Sequence, residues 1–471
     1  MYSSITFEKL ADWIQGELNS VGDAKFPVVQ ISTDTRTLKP GDVYLALKGE
    51  SFDGNIFLEE AVKAGARGVI CESTEGISVP KIQVKDSLKA LITIGESLRN
   101  IFKGPVIGIT GSAGKSSTKD MVAVLLGEHT VSSPASFNNL MGVSRTLCLV
   151  EDSTQNLVLE MGMNNLGEIA ELCHRFRPQY GMITNIGDAH IGKLGDQKGI
   201  YHAKKEMFEF LAKDIHSRGL ALNADDLWVM EAYKSSFHHE TKQDFFLKTY
   251  SQKEKTADVF LESGFMDPKT GFLNLKIKLN SETLEALLPI FGEHHAQNII
   301  AAIAMVHLVG VPLPEIKKRL SKIRPASHRG EIINLSQDKI LIDETYNSNP
   351  KALISSLQSL KKMTSHRRKI LVLGEMRELG AYSDSLHEQV GDFLVDWIKK
   401  ENPSICLVTV QGNSSKISDK VKTQCPQVTA IHLSSVEEAI EQVPGLTRSG
   451  DLLFLKGSRG VKLDLLLQDL K

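Results

Sequence analysis

Cysteine is sparse in this sequence: Cys71, Cys148, Cys173, Cys406 and Cys425 are scattered, odd in number and without C-x-x-C spacing. That excludes a disulfide framework and a thiolate zinc site. Most of these thiols sit in apolar runs and read as small buried hydrophobes. An excess of charge is also lacking, since the formal net charge is -2. Local clusters such as Lys317-Lys318-Arg319 and His366-Arg367-Arg368 read as solvated faces, so no nucleic-acid partner is expected. No apolar run reaches the roughly 20 residues that cross a bilayer. The opening MYSSITFEKLADW has neither the basic nor the apolar region of a signal peptide. The expectation is no membrane span and a reducing, cytoplasmic location. Internal repeats and low-complexity tracts are absent.

What remains is an ordinary globular composition, 41% hydrophobic and 24% charged, over 471 residues. That length corresponds to about three domains. Pattern separates three blocks, 1–103, 104–326 and 327–471. In the first, FPVVQISTDTR reads as a strand ending in a polar loop and DVYLAL as a short strand. NIFLEEAVKAG reads as a helix stopped by Gly65, and SLKALITIGESLRNIF as an amphipathic closing helix. The second block opens at Gly104-Pro105. PVIGIT, NLVLEMGM and YGMITNIG are short apolar runs of the kind found in parallel sheets. FLNLKIKL alternates, with Leu273, Leu275, Ile277 and Leu279 on one face, which predicts an antiparallel strand. A long helix is predicted over residues 293–308. In the third block KILID, KILVLG, ICLVTV, VTAIHL and DLLFLK alternate with helical stretches, the pattern of a doubly wound α/β domain.

The segment GITGSAGKSSTKD carries the strongest chemical signal. A strand runs through Gly111 and Gly114 to Lys115 and Ser116 and then into a helix. Glycines let backbone N–H groups approach phosphate oxygens, and a helix N-terminus favours anions. Lys115 would neutralise β/γ-phosphates, and the Ser116 hydroxyl can hold Mg²⁺. The spacing departs from the strict Walker pattern, because Ile109 stands where its first glycine belongs. Glu160 and His190 each follow a predicted strand, at the edge where α/β sheets bind ligands, and could ligate Mg²⁺. A structural ion pair for Glu160 and a hydrogen-bonded loop histidine are the plainer readings. His294 and Asn298 share a helical face and could read an adenine ring, although solvated helix-start residues would look the same. Asp343, Asn347 and Asn349 lie in DETYNSNP, a strand-turn-helix junction. Arg329 could clamp a phosphate. Asp34, Arg36 and Asp53 lie in a polar segment where Arg36 could hold a diphosphate.

The order and number of these elements resemble the Mur ligases over essentially the whole chain. The resemblance rests on STDTR with KGESFDG, TGSAGKSSTK, FNNLMG, LEMGM, TNIGDAH, AKKEMF, NADD, GEHHAQN, DETYNSNP, LGEMRELG with His387 downstream, and LKGSRG. The middle motifs are shared across these ligases and are similar to folylpolyglutamate synthase. The resemblance implies three domains: residues 1–103 for a UDP-sugar substrate, a central ATP-binding domain with a P-loop-type, mostly parallel sheet over 104–326, and a Rossmann-like domain over 327–471. It implies ATP and two Mg²⁺ as cofactors. Gly111, Gly114, Lys115, Ser116 and Ser117 take the phosphate-loop positions. Ser116, Glu160, His190 and Lys204 take metal positions, with Lys204 as the lysine that is carbamylated in this family. His294 and Asn298 match the adenine site, and Arg329 and Asp343 match nucleotide contacts. Asp34, Arg36, Asp53, Asn138, Asn347 and Asn349 match substrate positions.

The implied reaction is amide formation between UDP-MurNAc-tripeptide and D-Ala-D-Ala through an acyl phosphate, by a monomer. Addition of a single amino acid and a nucleotide switch without ligase activity are the alternatives. YNSNP, where an arginine-bearing acid-recognition motif would be expected, argues against the first. The joint presence of Lys115, Glu160, His190 and Lys204 argues against the second. Departures from the usual family pattern are GKSS for GKTT, Asn55 for a histidine, Ser136 and His295 for asparagines, and His328 for a glycine.

Overall fold

The computed structural model describes residues 1–19, 24–49, 52–73, 77–187, 196–237, 244–363 and 367–470. They gather into two compact units, Met1–Phe260 with Asn298–Arg319, and Leu261–Gln297 with Leu320–Lys471.

The first unit holds two sheets. Five short strands, β1 (Glu17–Asn19), β2 (Ile31–Ser32), β3 (Val43–Leu45), β4 (Gly68–Cys71) and β5 (Lys81–Gln83), lie in the order β1-β5-β4-β3-β2. All pairs are parallel except β1 with β5. The run FPVVQISTDTR yields only the two strand residues of β2. Its apolar start pairs instead with the chain's own beginning, Phe7 N–H donating to Phe26 O and Val28 N–H to Ile5 O. The expected helix in NIFLEEAVKAG opens as a 3₁₀ turn, Gly54–Phe57, and becomes α-helical over Leu58–Lys63.

The second sheet carries β6 (Val106–Thr110), β7 (Thr130–Ser132), β8 (Asn156–Glu160), β9 (Tyr180–Ile183), β10 (Gly219–Asn223), β11 (Phe246–Ser251) and β12 (Val259–Met266). Their order is β12-β11-β10-β9-β6-β8-β7. The pairs within this unit are parallel. β6 sits between β8 and β9, and all five of its residues are buried.

The helix Ser87–Ile101 starts at Asp86, whose carboxylate accepts the Lys89 N–H, and buries Leu91, Ile94 and Leu98 on one stripe. These join the same apolar cluster as Val143, Leu147, Leu157 and Leu159. Gly95 permits close approach, since a Cβ there would stand 3.1 Å from the Ser144 backbone. Arg99 closes this contact. Its guanidinium is buried and donates to Phe176 O (2.6 Å), Arg177 O (2.7 Å) and Phe102 O (3.3 Å). It thereby satisfies carbonyls at the end of the helix Glu168–Phe176, where Arg177 leaves in a left-handed conformation.

In the second unit, the remaining length of β12 is followed by β13 (Leu273–Leu279) and β14 (Glu282–Leu288), which pair antiparallel. Leu273, Leu275, Ile277 and Leu279 are all buried, as their alternation predicts. The other sheet has the order β15-β16-β20-β17-β18-β19, with β15 (Glu331–Asn334), β16 (Ile340–Glu344), β17 (Lys369–Gly374), β18 (Ile405–Val410), β19 (Thr429–Leu433) and β20 (Leu452–Lys456). Only the β15–β16 pair is antiparallel. Helices Pro350–Lys361, Ser383–Glu401, Ser415–Gln424 and Val436–Leu446 alternate with the parallel strands, which is the expected doubly wound α/β fold. All five cysteines are buried and unpaired. Among the described residues no helix is long and apolar enough to cross a membrane.

Arg99→Met keeps the apolar stem but strips three carbonyls of their donor. We expect urea denaturation to show a loss of about 3 kcal/mol, as for other broken buried charged contacts. A loss below about 0.5 kcal/mol would show that the helix end is satisfied without Arg99.

Candidate active site

The parallel register places Ile109 level with Glu160 on one side and with Met182 on the other. The loop after β6, the end of β8 and the start of the segment after β9 therefore meet at the carboxyl edge of the sheet. The chain turns at Gly111 (φ +150°) and enters the helix Lys115–Leu126 from Gly114 (φ +79°). Neither position has room for a side chain. A Cβ at Gly111 would collide with Thr184 Oγ1, and one at Gly114 with Asn298 Oδ1. Asn298, on the helix His295–Val309, thus lies directly against the phosphate loop.

The loop is braced from β9. Thr184 Oγ1 donates to Ala113 O (2.7 Å), and the Asn185 amide both accepts from Ala113 N–H and donates to Ala113 O, each at 2.9 Å. Ser112 Oγ and the Gly187 backbone are mutually hydrogen-bonded. Thr184 and Asn185 were not singled out from the sequence. Their signal is a hydroxyl and an amide at the end of an apolar strand. Lys115 folds back on its loop and donates to Gly111 O at 2.7 Å. Ser116 and Ser117 are buried in the first helical turn.

Glu160 is 1% exposed. Its Oε1 accepts from Asn138 Nδ2 at 2.9 Å, while Oε2 has no hydrogen-bond partner among the described residues. A buried carboxylate oxygen without a donor is costly unless a cation takes it. Lys204, on the helix Gln197–Lys213, is 1% exposed. Burial first, and the Lys115 charge second, push its pKa down to about 7. His190 lies outside the described residues. Among those described, no group of three or more His, Cys, Asp and Glu side chains gathers as a metal site.

In the polar segment of the first sheet, Arg36 is held by Asp34, Nε to Oδ1 at 2.9 Å and the second nitrogen to Oδ2 at 2.6 Å. This pairing, chiefly its hydrogen bond, draws the Asp34 pKa down to about 2. Asp53 caps the 3₁₀ turn and accepts from Asn55 N–H (2.9 Å) and Nδ2 (2.7 Å). Asn55 Oδ1 accepts from Glu72 N–H, so the departure at this position is built into the loop.

In the second unit His294 sits in the turn before the helix, which starts at His295 rather than at residue 293. Gly292 (φ +105°) turns the chain there. The two histidine rings lie 4.2 Å apart. Arg329 stacks on Tyr346, its guanidinium carbon 3.7 Å from the ring centre. Asp343 is buried and accepts from Thr345 N–H (3.0 Å) and Oγ1 (2.7 Å), with His328 Nδ1 2.7 Å away. The departure to His328 thus partners Asp343. Asn349 caps the helix Pro350–Lys361 by accepting the Ala352 N–H, and Asn347 Oδ1 accepts from Ser348 N–H. A buried pair missed from the sequence, Glu344 with Lys456 at 3.1 Å, stands beside them, and Lys456 also donates to Asn347 O.

The chain is similar to known proteins in sequence and in fold. Residues 109–306 match the Mur ligase middle domain, 328–459 the Mur ligase, glutamate ligase domain, and 27–124 the Mur ligase family, catalytic domain. A UDP-N-acetylmuramoyl-tripeptide–D-alanyl-D-alanine ligase from Synechocystis sp. is 36% identical over 366 residues, 77% of this chain and 75% of that one. The chain belongs to the Mur ligase family. A Bacillus subtilis ligase of the same name is 29% identical over 99% of this chain and 98% of its own. A MurF crystal structure from Acinetobacter baumannii superposes on this Mur ligase with a TM-score of 0.83 at 27% identity, covering 99% and 98% of the two chains.

His295 is 3% exposed, and neither ring nitrogen has a hydrogen-bond partner among the described residues. Burial holds its pKa well below the ordinary 6.5. The folded ring stays neutral while the unfolded chain takes up a proton below that pH, so stability is full above about pH 6.5 and falls as pH drops. Between pH 6.5 and 5.5 this Mur ligase should lose about 1 kcal/mol more than its His295→Asn variant in urea titrations. Parallel curves would place the proton on the folded ring as well.

Proposed function

We propose that this Mur ligase joins D-alanyl-D-alanine to UDP-MurNAc-tripeptide with cleavage of ATP to ADP and phosphate, a step of peptidoglycan precursor synthesis. The observation that carries the reading is the company kept by the phosphate loop. A carboxylate with one oxygen left over and a lysine poised near neutrality stand in the same unit, and a plain ATPase has no use for the second. The relatives matched over most of their length are named for this reaction.

In this reading the backbone at Gly111 and Gly114, with Lys115 and the hydroxyls of Ser116 and Ser117, holds the β- and γ-phosphates. Asn298, against Gly114, and His294 receive adenine. Arg329 and Asp343 are the remaining nucleotide contacts. Hard oxygen donors suit Mg²⁺, and the orphaned Glu160 Oε2 with the Ser116 hydroxyl fits it. The neutral amine of Lys204 adds to carbon dioxide, forming a C–N bond and releasing a proton. The resulting carbamate is a carboxylate that, with His190, suits a second Mg²⁺. Mg²⁺ held by Glu160, Ser116 and the Lys204 carbamate with His190 would supply positive charge against the phosphates, so that an anionic nucleophile could approach.

The tripeptide's terminal carboxylate oxygen attacks the γ-phosphorus, the bond to ADP breaks and an acyl phosphate forms. The dipeptide amine then attacks the acyl carbon, and phosphate leaves as the amine gives up its proton. Lys115 lies where charge accumulates in the first step. Asp34, Arg36, Asp53 and Asn138 are assigned to the UDP-substrate, and Asn347 and Asn349 to the substrate side of the second unit. Asn349 works there through the helix it caps. Residues 1–103 serve the UDP-sugar, 104–326 bind ATP, and 327–471 form the Rossmann-like domain. The enzyme acts in the cytoplasm as a monomer.

The deciding experiment is phosphate release across a panel of UDP-tripeptides with D-Ala-D-Ala or single amino acids. Release is expected only with both a UDP-tripeptide and the dipeptide. Equal stimulation by a single amino acid would reassign the chain within the family, and release with neither would make it an ATPase. Lys204→Ala should lower turnover by at least about 10-fold, with part restored by millimolar acetate, a free carboxylate in place of the carbamate. Full activity of that variant without acetate would remove the carbamate from the site.

A further inference from the structure

Lys119 lies one turn beyond Lys115 on the same helix, and its side chain is only 2% exposed. An ammonium has three donors and no acceptor, and here each has a taker. Lys119 Nζ donates to Ser133 O and to Ala135 O (3.1 Å), and Asp120 stands at 2.8 Å. The two carbonyls belong to the segment that leaves β7. Ala135 is held there in a left-handed conformation (φ +46°), unusual for a residue with a Cβ.

The segment gripped by Lys119 in turn grips Glu160 at both its main chain and its side chain. Ser133 Oγ accepts the Glu160 N–H at 3.0 Å, and Asn138 Nδ2 donates to Glu160 Oε1 at 2.9 Å. Asn138 is itself fixed. Its carbonyl accepts the Gly162 N–H at 2.7 Å, and a Cβ on Gly162 would stand only 2.6 Å from its side chain.

We propose that Lys119 is a positioning residue of the nucleotide site: by pinning Ser133 and Ala135 it sets Asn138, which takes one oxygen of Glu160 and leaves the other for a divalent cation. Lys119, with its donors taken by Ser133 O, Ala135 O and Asp120, acts through that segment. The inference rests on the reading of Glu160 as a cation ligand.

Mn²⁺ is the probe, titrated by electron paramagnetic resonance into the full chain with ADP. Lys119→Met and Asn138→Ala should each weaken Mn²⁺ binding on the order of 10-fold, with ADP affinity in the absence of cation unchanged. The double variant should be no weaker than the weaker single, because both act through one contact. Lys119→Gln, which keeps a donor of shorter reach, serves if Lys119→Met does not fold, and the same loss is expected. Unchanged Mn²⁺ affinity in the Lys119 variants or in Asn138→Ala, or losses that multiply in the double variant, would overturn the proposal. Wild-type protein that binds ADP but no Mn²⁺ would instead remove the cation from Glu160, and the inference with it.

Discussion

Parallel pairing of β6 with β8 on one side and β9 on the other is the constraint from which the rest of the nucleotide site follows. Met161 N–H donates to Ile109 O at 2.8 Å, and Thr184 N–H to Thr110 O at 2.9 Å, so all three strands end at one level. Val158, Leu159, Ile107, Ile109 and Met182 are fully buried, which leaves no freedom to slip. A shift of one residue would exchange the faces of every side chain and drive Glu160 into the apolar layer. With the register fixed, Glu160 arrives beside Asn138, and Thr184 and Asn185 arrive under Ala113. The glycines at 111 and 114 then answer a crowding imposed from outside the loop.

The second unit uses the same edge with different chemistry. Glu344 and Lys456 are register partners across β16 and β20 and form a buried ion pair. Ser356 Oγ adds a hydrogen bond to Glu344 Oε2 at 2.5 Å. Arg368, just before β17, pairs with Asp451, just before β20, at 2.7 Å at the opposite end of the sheet. Breaking the Glu344–Lys456 pair would strand a charge where water barely reaches it. The edge that presents Thr345, Asn347 and Ser458 is therefore clamped by electrostatics, where the first unit relies on loop bracing.

Much of this was legible in the sequence, and the reasons differ by element. Val106–Thr110 and Leu273–Leu279 declare themselves by burial pattern, one continuous and one alternating, because each sheet environment demands it. The phosphate loop was legible because only glycine satisfies both its φ values and its contacts. The helix Ser87–Ile101 closes the first block by pattern, and its apolar stripe lies in one cluster with residues of both sheets of the first unit, a sharing that no local pattern announces. The start of the helix carrying Asn298 shifted because Gly292 adds a turn. Lys119 stayed hidden because nothing in a K-x-x-x-K spacing says that the second lysine faces inward. The departures at Asn55 and His328 had partners that lie 17 and 15 residues away, beyond the reach of local pattern.

The five cysteines, inert to any disulfide, divide three to two between the units: Cys71, Cys148 and Cys173 in the first, Cys406 and Cys425 in the second. Burial pushes the thiols of Cys71 and Cys148 up to about 11 and about 12, so that they are thiols rather than thiolates at neutral pH. Such groups react with alkylating reagents only when the surrounding chain opens. The molecule thus carries a built-in, site-resolved clock of its own breathing. Mass-resolved labelling of the two sets reads how often each unit opens, without a single added residue.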